Sequence, residues 1–309
     1  MVNPYEAQSR NKTKSLLIVG FFLLFVFLVV YVLGNAFSYY LGYTPGGLGY
    51  IGLALIVSGA ISFGGYYFSD RIVLTLSHAR EADRKKDFQF YTVAENLAIG
   101  AGLPNPKLYV IEDPAPNAFA TGRDPNHAVL CATTGLLDKL NRTELEGVIG
   151  HELTHVKDYD TRLQSVVAVL VGMVALLGDW FLRSTWWRRS RSRDEEGSVG
   201  AIFIVLGIIF AIASPIVAQL IQLAISRRRE FTADAGSILI TRQPSGLIAA
   251  LKKISADPET LRVANKATAH LYIVNPFKGG RHGTVAWLAN LFNTHPPVAD
   301  RIKALEDLA

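Results

Sequence analysis

The sequence predicts an integral membrane protein of mainly helical α+β fold, with four long apolar helices and a small antiparallel sheet. Half of the 309 residues are hydrophobic, and many of them lie in four segments that are nearly free of charge and long enough to cross a bilayer as helices. Elsewhere, short apolar runs bounded by proline and glycine alternate with stretches of helical periodicity, which is typical of a small sheet packed on helices. The four apolar segments are Leu16 to Leu33, Leu48 to Phe68, Leu163 to Leu182 and Val199 to Ile225.

The first two segments are expected to form an N-terminal transmembrane hairpin, assigned to residues 1–69. Basic residues precede the first segment and follow the second, whereas the loop between them carries no charge. Because positive charge marks the cytoplasmic ends of membrane helices, the N-terminus and the domain after the hairpin are expected in the cytoplasm. The net charge of +5 comes largely from such membrane-flanking residues, which suit phospholipid better than nucleic acid.

The third and fourth segments are expected to form a second hairpin, assigned to residues 163–226. Its connecting loop is rich in arginine, and a simple pair of spans would place this loop outside the cytoplasm. That conflicts with the positive-inside rule, so either the rule fails here or the hairpin does not fully cross. In both cases its two ends emerge on the same side. The arginines of the loop are Arg183, Arg188, Arg189, Arg191 and Arg193.

The remaining ranges, 70–162 and 227–309, are expected to form the two parts of one catalytic domain. Cys131, the single cysteine, lies in an apolar run and is expected as a buried strand thiol, so a disulfide within the chain is excluded. The predicted strands are Lys107 to Ile111, Asn117 to Thr121 and His127 to Ala132, and the predicted helices are Tyr91 to Ala101, Pro244 to Ser255 and Pro297 to Leu308.

One short motif indicates the chemistry of this domain. Residues 151–155 read His-Glu-Leu-Thr-His, and side chains four residues apart share one face of a helix. His151 and His155 can therefore bind one Zn²⁺, while Glu152 lies beside the metal and can act as general base on a water molecule.

The surrounding sequence supports a helix for this motif. Thr143 and Glu146 match a capping box, and apolar residues at helical spacing follow them. The alternative is a chance match on an ordinary amphipathic helix, so further ligands are needed to support the zinc interpretation.

A catalytic zinc ion of this type needs a third protein ligand and an open fourth position. The best candidate is Glu230, and Asp234, four residues later, shares its helix face and can orient a zinc-bound histidine. The alternative is that both are solvated charges beside the arginines that precede them.

Five features in chain order resemble the HtpX-like membrane metallopeptidases, which are relatives of the CAAX prenyl proteases. The resemblance covers nearly the whole chain, and the combination is more specific than any single motif. The features are the N-terminal hairpin, Asn117 to Gly122, the His151 to His155 helix, Arg229 to Asp234, and Thr294 to Pro297 before Arg301.

The resemblance implies a zincin-type catalytic domain with one Zn²⁺ per subunit, bound by His151, His155 and Glu230, and with Glu152 as general base. It also implies that the predicted strand at residues 117–121 borders the substrate cleft and holds an extended peptide by main-chain hydrogen bonds. The alternative is an ordinary strand with no such role. The implied substrate-binding residues are Asn117, Ala118, Phe119 and Ala120.

Two further residues have open roles. By resemblance, His295 is a candidate donor to the oxyanion of the tetrahedral intermediate; alternatively it caps the turn at Pro296 and Pro297. Arg301 can pair with Asp234 or be solvated.

The function implied by the resemblance is a zinc endopeptidase of protein quality control and stress response. It would cleave misfolded or damaged membrane proteins at the cytosolic face of the plasma (inner) membrane of a prokaryote. Two alternatives stay open, a prenyl-protein processing protease and a catalytically silent membrane scaffold stabilised by zinc. The expected partners are polypeptide substrates and the lipid bilayer, with no nucleic acid, and the apolar hairpins allow self-association into a homo-oligomer.

Overall fold

A computed structural model gives the fold of the protein. It describes residues 48–169, 227–263, 268–276 and 296–308, together with 13, 17–21, 23–28, 31 and 172. The fourth predicted apolar segment, most of the third and His295 lie outside the described residues. In the part of the chain that is described, no helix is both long enough and apolar enough to cross a membrane.

The described elements confirm the mainly helical α+β class, and the predicted strands and helices of the catalytic domain begin and end within three residues of the observed ones. Residues 160–169 are also helical. In chain order the elements are α1 (Leu48–Tyr67), α2 (Ser69–Leu76), β1 (Arg80–Glu81), α3 (Phe88–Ala101), β2 (Lys107–Ile111), β3 (Ala118–Thr121), the 3₁₀ helix Pro125–His127, β4 (Val129–Thr133), α4 (Thr134–Lys139), α5 (Arg142–Lys157), α6 (Arg227–Thr241), α7 (Pro244–Ala256), the 3₁₀ helix Ala269–Leu271 and α8 (Val298–Glu306).

The sheet is mixed, so the prediction of an antiparallel sheet is wrong. Its strand order is β1-β2-β4-β3. Strand β4 pairs antiparallel with β3 and parallel with β2, while β1 is antiparallel to β2. Every residue of β4 is buried, which suits a strand between two others, but the edge strand β3 is fully buried as well, so burial alone does not decide the strand order. A meander in chain order would have left β4 at the edge.

Side chains alternate between the two faces of the sheet, and each face has its own core. Leu108 and Leu130 point towards the core shared with α3, α5 and α7. Phe119 and Cys131 point to the other face, where the Phe119 ring lies edge-on to Tyr272 with centroids 5.2 Å apart. Cys131 is buried as predicted, and burial raises the pKa of its thiol. Packing on the first face sets β3 beside α5.

Helix α5 begins two residues earlier than its sequence pattern predicts. Its capping box is formed by Asn141, whose side chain accepts from Glu144 N at 3.0 Å, and by Glu144, whose carboxylate accepts from Asn141 N at 2.9 Å. The predicted box of Thr143 and Glu146 is therefore wrong, and Glu146 pairs instead with Arg142. Both candidate boxes have the same spacing, so spacing alone could not separate them.

Candidate active site

Two helices form the candidate site: α5 carries the His-Glu-x-x-His motif, and α6 carries Glu230. They pack closely because glycine stands where they touch. A Cβ atom on Gly236 of α6 would lie 2.3 Å from Thr154 Cγ2, and one on Gly150 of α5 would lie 2.9 Å from Ser237 Oγ. Larger side chains at these contacts would push the helices apart, so the small residues keep Glu230 beside the two histidines.

The three predicted ligands converge at one point. His151 Nε2 and His155 Nε2 are 3.2 Å apart. The carboxylate of Glu230 reaches His155 Nε2 at 3.6 Å and His151 Nε2 at 3.8 Å. One donor atom from each side chain lies within 4.8 Å of the others, and all three residues are buried. Such a group can hold a metal ion.

Hydrogen bonds at the far side of each imidazole set its tautomer. His151 Nδ1 lies 2.9 Å from Asp234 Oδ1, and His155 Nδ1 lies 3.0 Å from Asp160 Oδ2. Because a carboxylate accepts, each Nδ1 carries a hydrogen, and in the neutral ring Nε2 presents a lone pair to the centre. Glu230 adds further acceptors there, so a cation suits this centre.

The donor set fits zinc in type and in spacing. Two imidazoles and one glutamate are the ligands of one common class of catalytic zinc site, which keeps a fourth position open. Nitrogen ligands about 2.0 to 2.1 Å from a tetrahedral zinc ion lie about 3.4 Å from each other. The observed Nε2 to Nε2 distance of 3.2 Å is close to that value.

The two histidines differ in proton affinity. Burial and the charge of Arg301 lower the pKa of His151 to about 4. Burial also lowers the pKa of His155, but the hydrogen bond that His155 donates to Asp160 and the charge of Glu230 outweigh it and raise the pKa to about 9. Because a metal ion binds the neutral imidazole, metal binding at His155 is coupled to release of a proton.

Arg301 is fully buried and pairs with Asp234, which was one of its two predicted alternatives. Its Nη2 and Nε donate to the two Asp234 oxygens at 2.6 and 2.9 Å, and its Nη1 donates to Ile273 O at 3.0 Å. Burial raises the pKa of Asp234, but Arg301 and His151 outweigh burial and the pKa is lowered. Asp234 therefore stays charged against His151.

Two further side chains belong to the same cluster, and the sequence prediction missed both. Asp160 contacts His155 as described, and Arg229 Nη1 lies 3.2 Å from Asp160 Oδ1. Arg229 directly precedes Glu230, while Asp160 follows the second histidine by five residues. The closeness of these two residues to the motif in the sequence could have suggested their role. The contact of Asp160 with His155, however, depends on a tight turn after α5, where Tyr159 has a φ of 61°.

Glu152, next to His151 on α5, is buried. The main-chain N–H of Ala120, in β3, lies near its carboxylate and favours its charged form. Burial raises the pKa of Glu152 to about 7, although the charge of His155 opposes this. A carboxylate with a pKa near 7 is suited to general base catalysis at neutral pH.

Most of the predicted substrate strand contacts a later segment of the chain. Ala118 O accepts from Ile273 N at 2.9 Å. The Asn117 side chain donates to Val274 O at 2.9 Å. Of the four predicted substrate-binding residues, Asn117, Ala118 and Phe119 thus contact residues 272–274, and the main-chain N–H of Ala120 lies near Glu152. Their role in substrate binding stays a prediction.

Comparison with known proteins identifies the family. The model of peptidase family M48 matches residues 84–309. The chain belongs to peptidase family M48. Proteins named Protease HtpX homolog are similar over nearly the whole chain. The one from Dictyoglomus thermophilum is 43% identical over 303 residues, covering 97% of this chain and 93% of that protein.

Two other relatives bear the same name. The one from Caldanaerobacter subterraneus subsp. tengcongensis is 42% identical, and the match covers 98% of this chain and 97% of that protein. The one from Lactobacillus helveticus is 39% identical, and the match covers 98% of this chain and 99% of that protein. Among solved structures, this M48 peptidase is similar to the crystal structure of S. mikatae Ste24p, with a TM-score of 0.45 and 17% identity, covering 98% of this chain and 67% of that one.

Family membership confirms two predictions. The HtpX-like resemblance is borne out, and the protein is a metallopeptidase and hence a hydrolase. An enzyme is therefore favoured over the catalytically silent scaffold.

Proposed function

We propose that this M48 peptidase is a membrane-bound zinc endopeptidase that cleaves misfolded or damaged membrane proteins on the cytosolic side. The observation that carries the proposal is the convergence of three buried acceptors, from His151, His155 and Glu230, next to the carboxylate of Glu152. The three acceptors would hold the metal and leave its fourth position open to water and substrate.

The chain's own residues then have defined tasks. A zinc ion, when bound, supplies Lewis acidity and lowers the pKa of a coordinated water towards about 7. Glu152 takes a proton from the attacking water and passes it to the amine nitrogen of the leaving group. The nearby Ala120 N–H favours the charged form of the Glu152 carboxylate. Asp234 fixes the ring of His151, Arg301 holds Asp234, and His295 is the proposed donor to the oxyanion.

The proposed attachment to the membrane is supported by the end of α1. Phe63, Tyr67 and Phe68 are exposed there, at 59%, 41% and 48%. Arg123 donates to Tyr67 O at 3.2 Å and lies over its ring. Aromatic and basic residues together are typical of a membrane interface.

In this proposal the hairpins at residues 1–69 and 163–226 anchor the two parts of the catalytic domain. If so, the protein should stay in the membrane pellet after extraction with alkaline carbonate. Release into the supernatant would contradict the proposed anchoring.

Replacement of the general base is the sharpest test of the mechanism. The wild type and Glu152→Gln are purified in detergent with zinc, and cleavage of unfolded casein and bound zinc are both measured. Zinc content should be unchanged, and cleavage should fall by at least about 100-fold, the lower end of what general acid–base catalysis contributes. Cleavage at the wild-type rate would overturn the mechanism.

Glu146→Gln is the matched control. Glu146 lies on the same helix, undergoes the same chemical change and pairs only locally with Arg142 among its described contacts, so activity should be unchanged. A farnesylated CAAX peptide is tested in parallel with casein. Cleavage of the prenylated peptide alone would replace the quality-control function by the prenyl-protein alternative.

A further inference from the structure

Each of the two histidines is backed by an aspartate, and each aspartate contacts an arginine. His151 contacts Asp234, and Asp234 contacts Arg301. We propose, resting on the zinc site above, that Asp160 is the positioning residue for His155 and that Arg229 holds Asp160 in place. The proposal adds a second outer support to the metal site, on the side opposite Arg301.

The geometry of Asp160 suits this task. Its Oδ2 accepts from His155 Nδ1 at 3.0 Å, which keeps the hydrogen on Nδ1 and leaves Nε2 free for the metal. Asp160 is 3% exposed and His155 is 4% exposed, so water competes little for this bond. Tyr159, with a φ of 61°, lies in the short turn between α5 and the helical residues 160–169, and Asp160 directly after it contacts His155. A non-glycine residue in this conformation is uncommon.

Arg229 connects this support to the third ligand. The two carboxylate oxygens of Asp160 have different partners. Oδ2 accepts from His155, and Oδ1 lies 3.2 Å from Arg229 Nη1. Arg229 is the residue before Glu230 on α6. One continuous set of contacts thus runs from His155 through Asp160 to the helix that carries Glu230, and it fixes the positions of both ligands together.

The same pair joins the two ends of the second predicted hairpin. Asp160 lies just before residues 163–226, and Arg229 lies just after them. A buried ion pair contributes little net stability, because desolvation offsets its attraction. Its placement on a histidine ring and beside a third ligand is the feature that points to the metal site.

Zinc affinity tests the proposal without any measure of peptidase activity. The Kd for zinc is measured in detergent by competition with a chromogenic chelator, for the wild type, Asp160→Asn and Asp160→Ala. Loss of the carboxylate behind a metal-binding histidine weakens metal binding about 10- to 100-fold. We expect about 10-fold for Asp160→Asn, which keeps the shape and one acceptor, and a larger loss for Asp160→Ala. The absorption spectrum of bound Co²⁺ should also shift, because its ligand geometry changes.

The chain offers a matched control in Asp124→Asn. Asp124 Oδ1 lies 2.8 Å from His127 Nδ1, and Arg123 Nε lies 3.6 Å from Asp124 Oδ2, so the same three residue types meet at an exposed place. This variant should change the Kd for zinc by less than about twofold.

A second variant separates positioning from general stability. Arg229→Gln should weaken zinc binding less than Asp160→Asn does. The double variant Asp160→Asn/Arg229→Gln should bind zinc no more weakly than Asp160→Asn alone. Arg229 acts through Asp160, and the effects of substitutions at contacting residues on the Kd do not add. The melting temperature of the zinc-free proteins is measured alongside.

The outcomes separate this proposal from the proposed function. If Asp160→Asn lowers the melting temperature but keeps the Kd for zinc within about twofold of wild type, Asp160 is structural and the proposal is overturned. If the double variant binds zinc far more weakly than Asp160→Asn, the link through Arg229 is overturned. A wild type that binds zinc no more tightly than His151→Ala would instead overturn the zinc site itself.

Discussion

The same three residue types, histidine, aspartate and arginine, meet in two different environments of this molecule. At the metal site, His151, Asp234 and Arg301 have side chains only 1 to 2% exposed. On the surface after β3, the side chains of His127, Asp124 and Arg123 are 47%, 30% and 21% exposed. The histidine to aspartate distances are alike, at 2.9 and 2.8 Å. The histidine to aspartate distance therefore does not tell the two clusters apart, but burial does, together with the arginine contact, which is bidentate at 2.6 and 2.9 Å in the buried cluster and a single contact of 3.6 Å on the surface.

This difference in burial determines how much each charged side chain depends on its partners for stability. Exposed ion pairs are screened by water, and their median contribution is about 0 to 1 kcal/mol. In the buried cluster, each charge has lost its water, so removing one partner leaves the other uncompensated. Conversely, only the buried cluster can hold an imidazole in one orientation against thermal motion and solvent.

Removal of the buried guanidinium should give the largest effect on stability. Arg301→Met keeps much of the side-chain length but leaves Asp234 charged, buried and without its bidentate partner. We expect a loss of about 3 to 5 kcal/mol in the free energy of unfolding. The measurement is unfolding in detergent with a zinc chelator, so that metal binding does not contribute.

The double variant Asp234→Leu/Arg301→Met is the control for this prediction. Removing both charges should recover part of the lost stability, because no uncompensated charge is left. A single variant within about 1 kcal/mol of wild type would show that the buried cluster is no more sensitive than the exposed one.

The parts of this site that the sequence predicted are those set by local spacing. His151, Glu152 and His155 lie on one helix, and the four-residue separation fixes their common face whatever the rest of the chain does. Glu230 and Asp234 follow the same rule on α6. The strand and helix bounds were also close, because each element has its own pattern of apolar residues and its own turn residues.

The parts that the sequence did not predict depend on how distant segments pack. The cap of α5 was misplaced because Asn141 and Thr143 offer the same spacing to an acidic residue. Strand β4 pairs in parallel with β2, and the sequence of one strand does not determine which strands lie beside it. Asp160 reaches His155 through the turn at Tyr159, whose φ is 61°, and tyrosine does not favour a positive φ.

An ion pair of intermediate burial should give an intermediate effect. Asp87 accepts from Arg80 at 2.9 Å and from Asp83 N at 2.8 Å, and the Arg80 side chain is 31% exposed. Burial raises the pKa of Asp87, but the hydrogen bonds from Arg80 and Asp83 outweigh burial, and the pKa falls below its ordinary value of 3.8. Because the folded pKa is the lower one, this stabilisation is complete above the unfolded pKa and is lost as pH falls through the folded pKa.

Asp87→Asn should therefore lower the free energy of unfolding by about 1 kcal/mol at pH 7. The difference from wild type should shrink as the pH falls below about 4. Thermal unfolding of both proteins between pH 3 and 7 checks this. A difference that is constant over the whole range would show that the charge of Asp87 is not the cause.

The exposed cluster should give the smallest effect, and Asp124→Asn isolates its charge. The Asp124 side chain also caps the 3₁₀ helix that follows, since it accepts from His127 N at 3.1 Å, and asparagine is an equally good cap. Only the ionic part is removed, so the free energy of unfolding should change by less than about 0.5 kcal/mol. Thermal unfolding at low and at high salt measures it, and any difference should vanish at high salt, where exposed charges are screened. A loss as large as that of Arg301→Met would mean that burial does not decide the strength of these clusters, and the contrast between the two environments would fail.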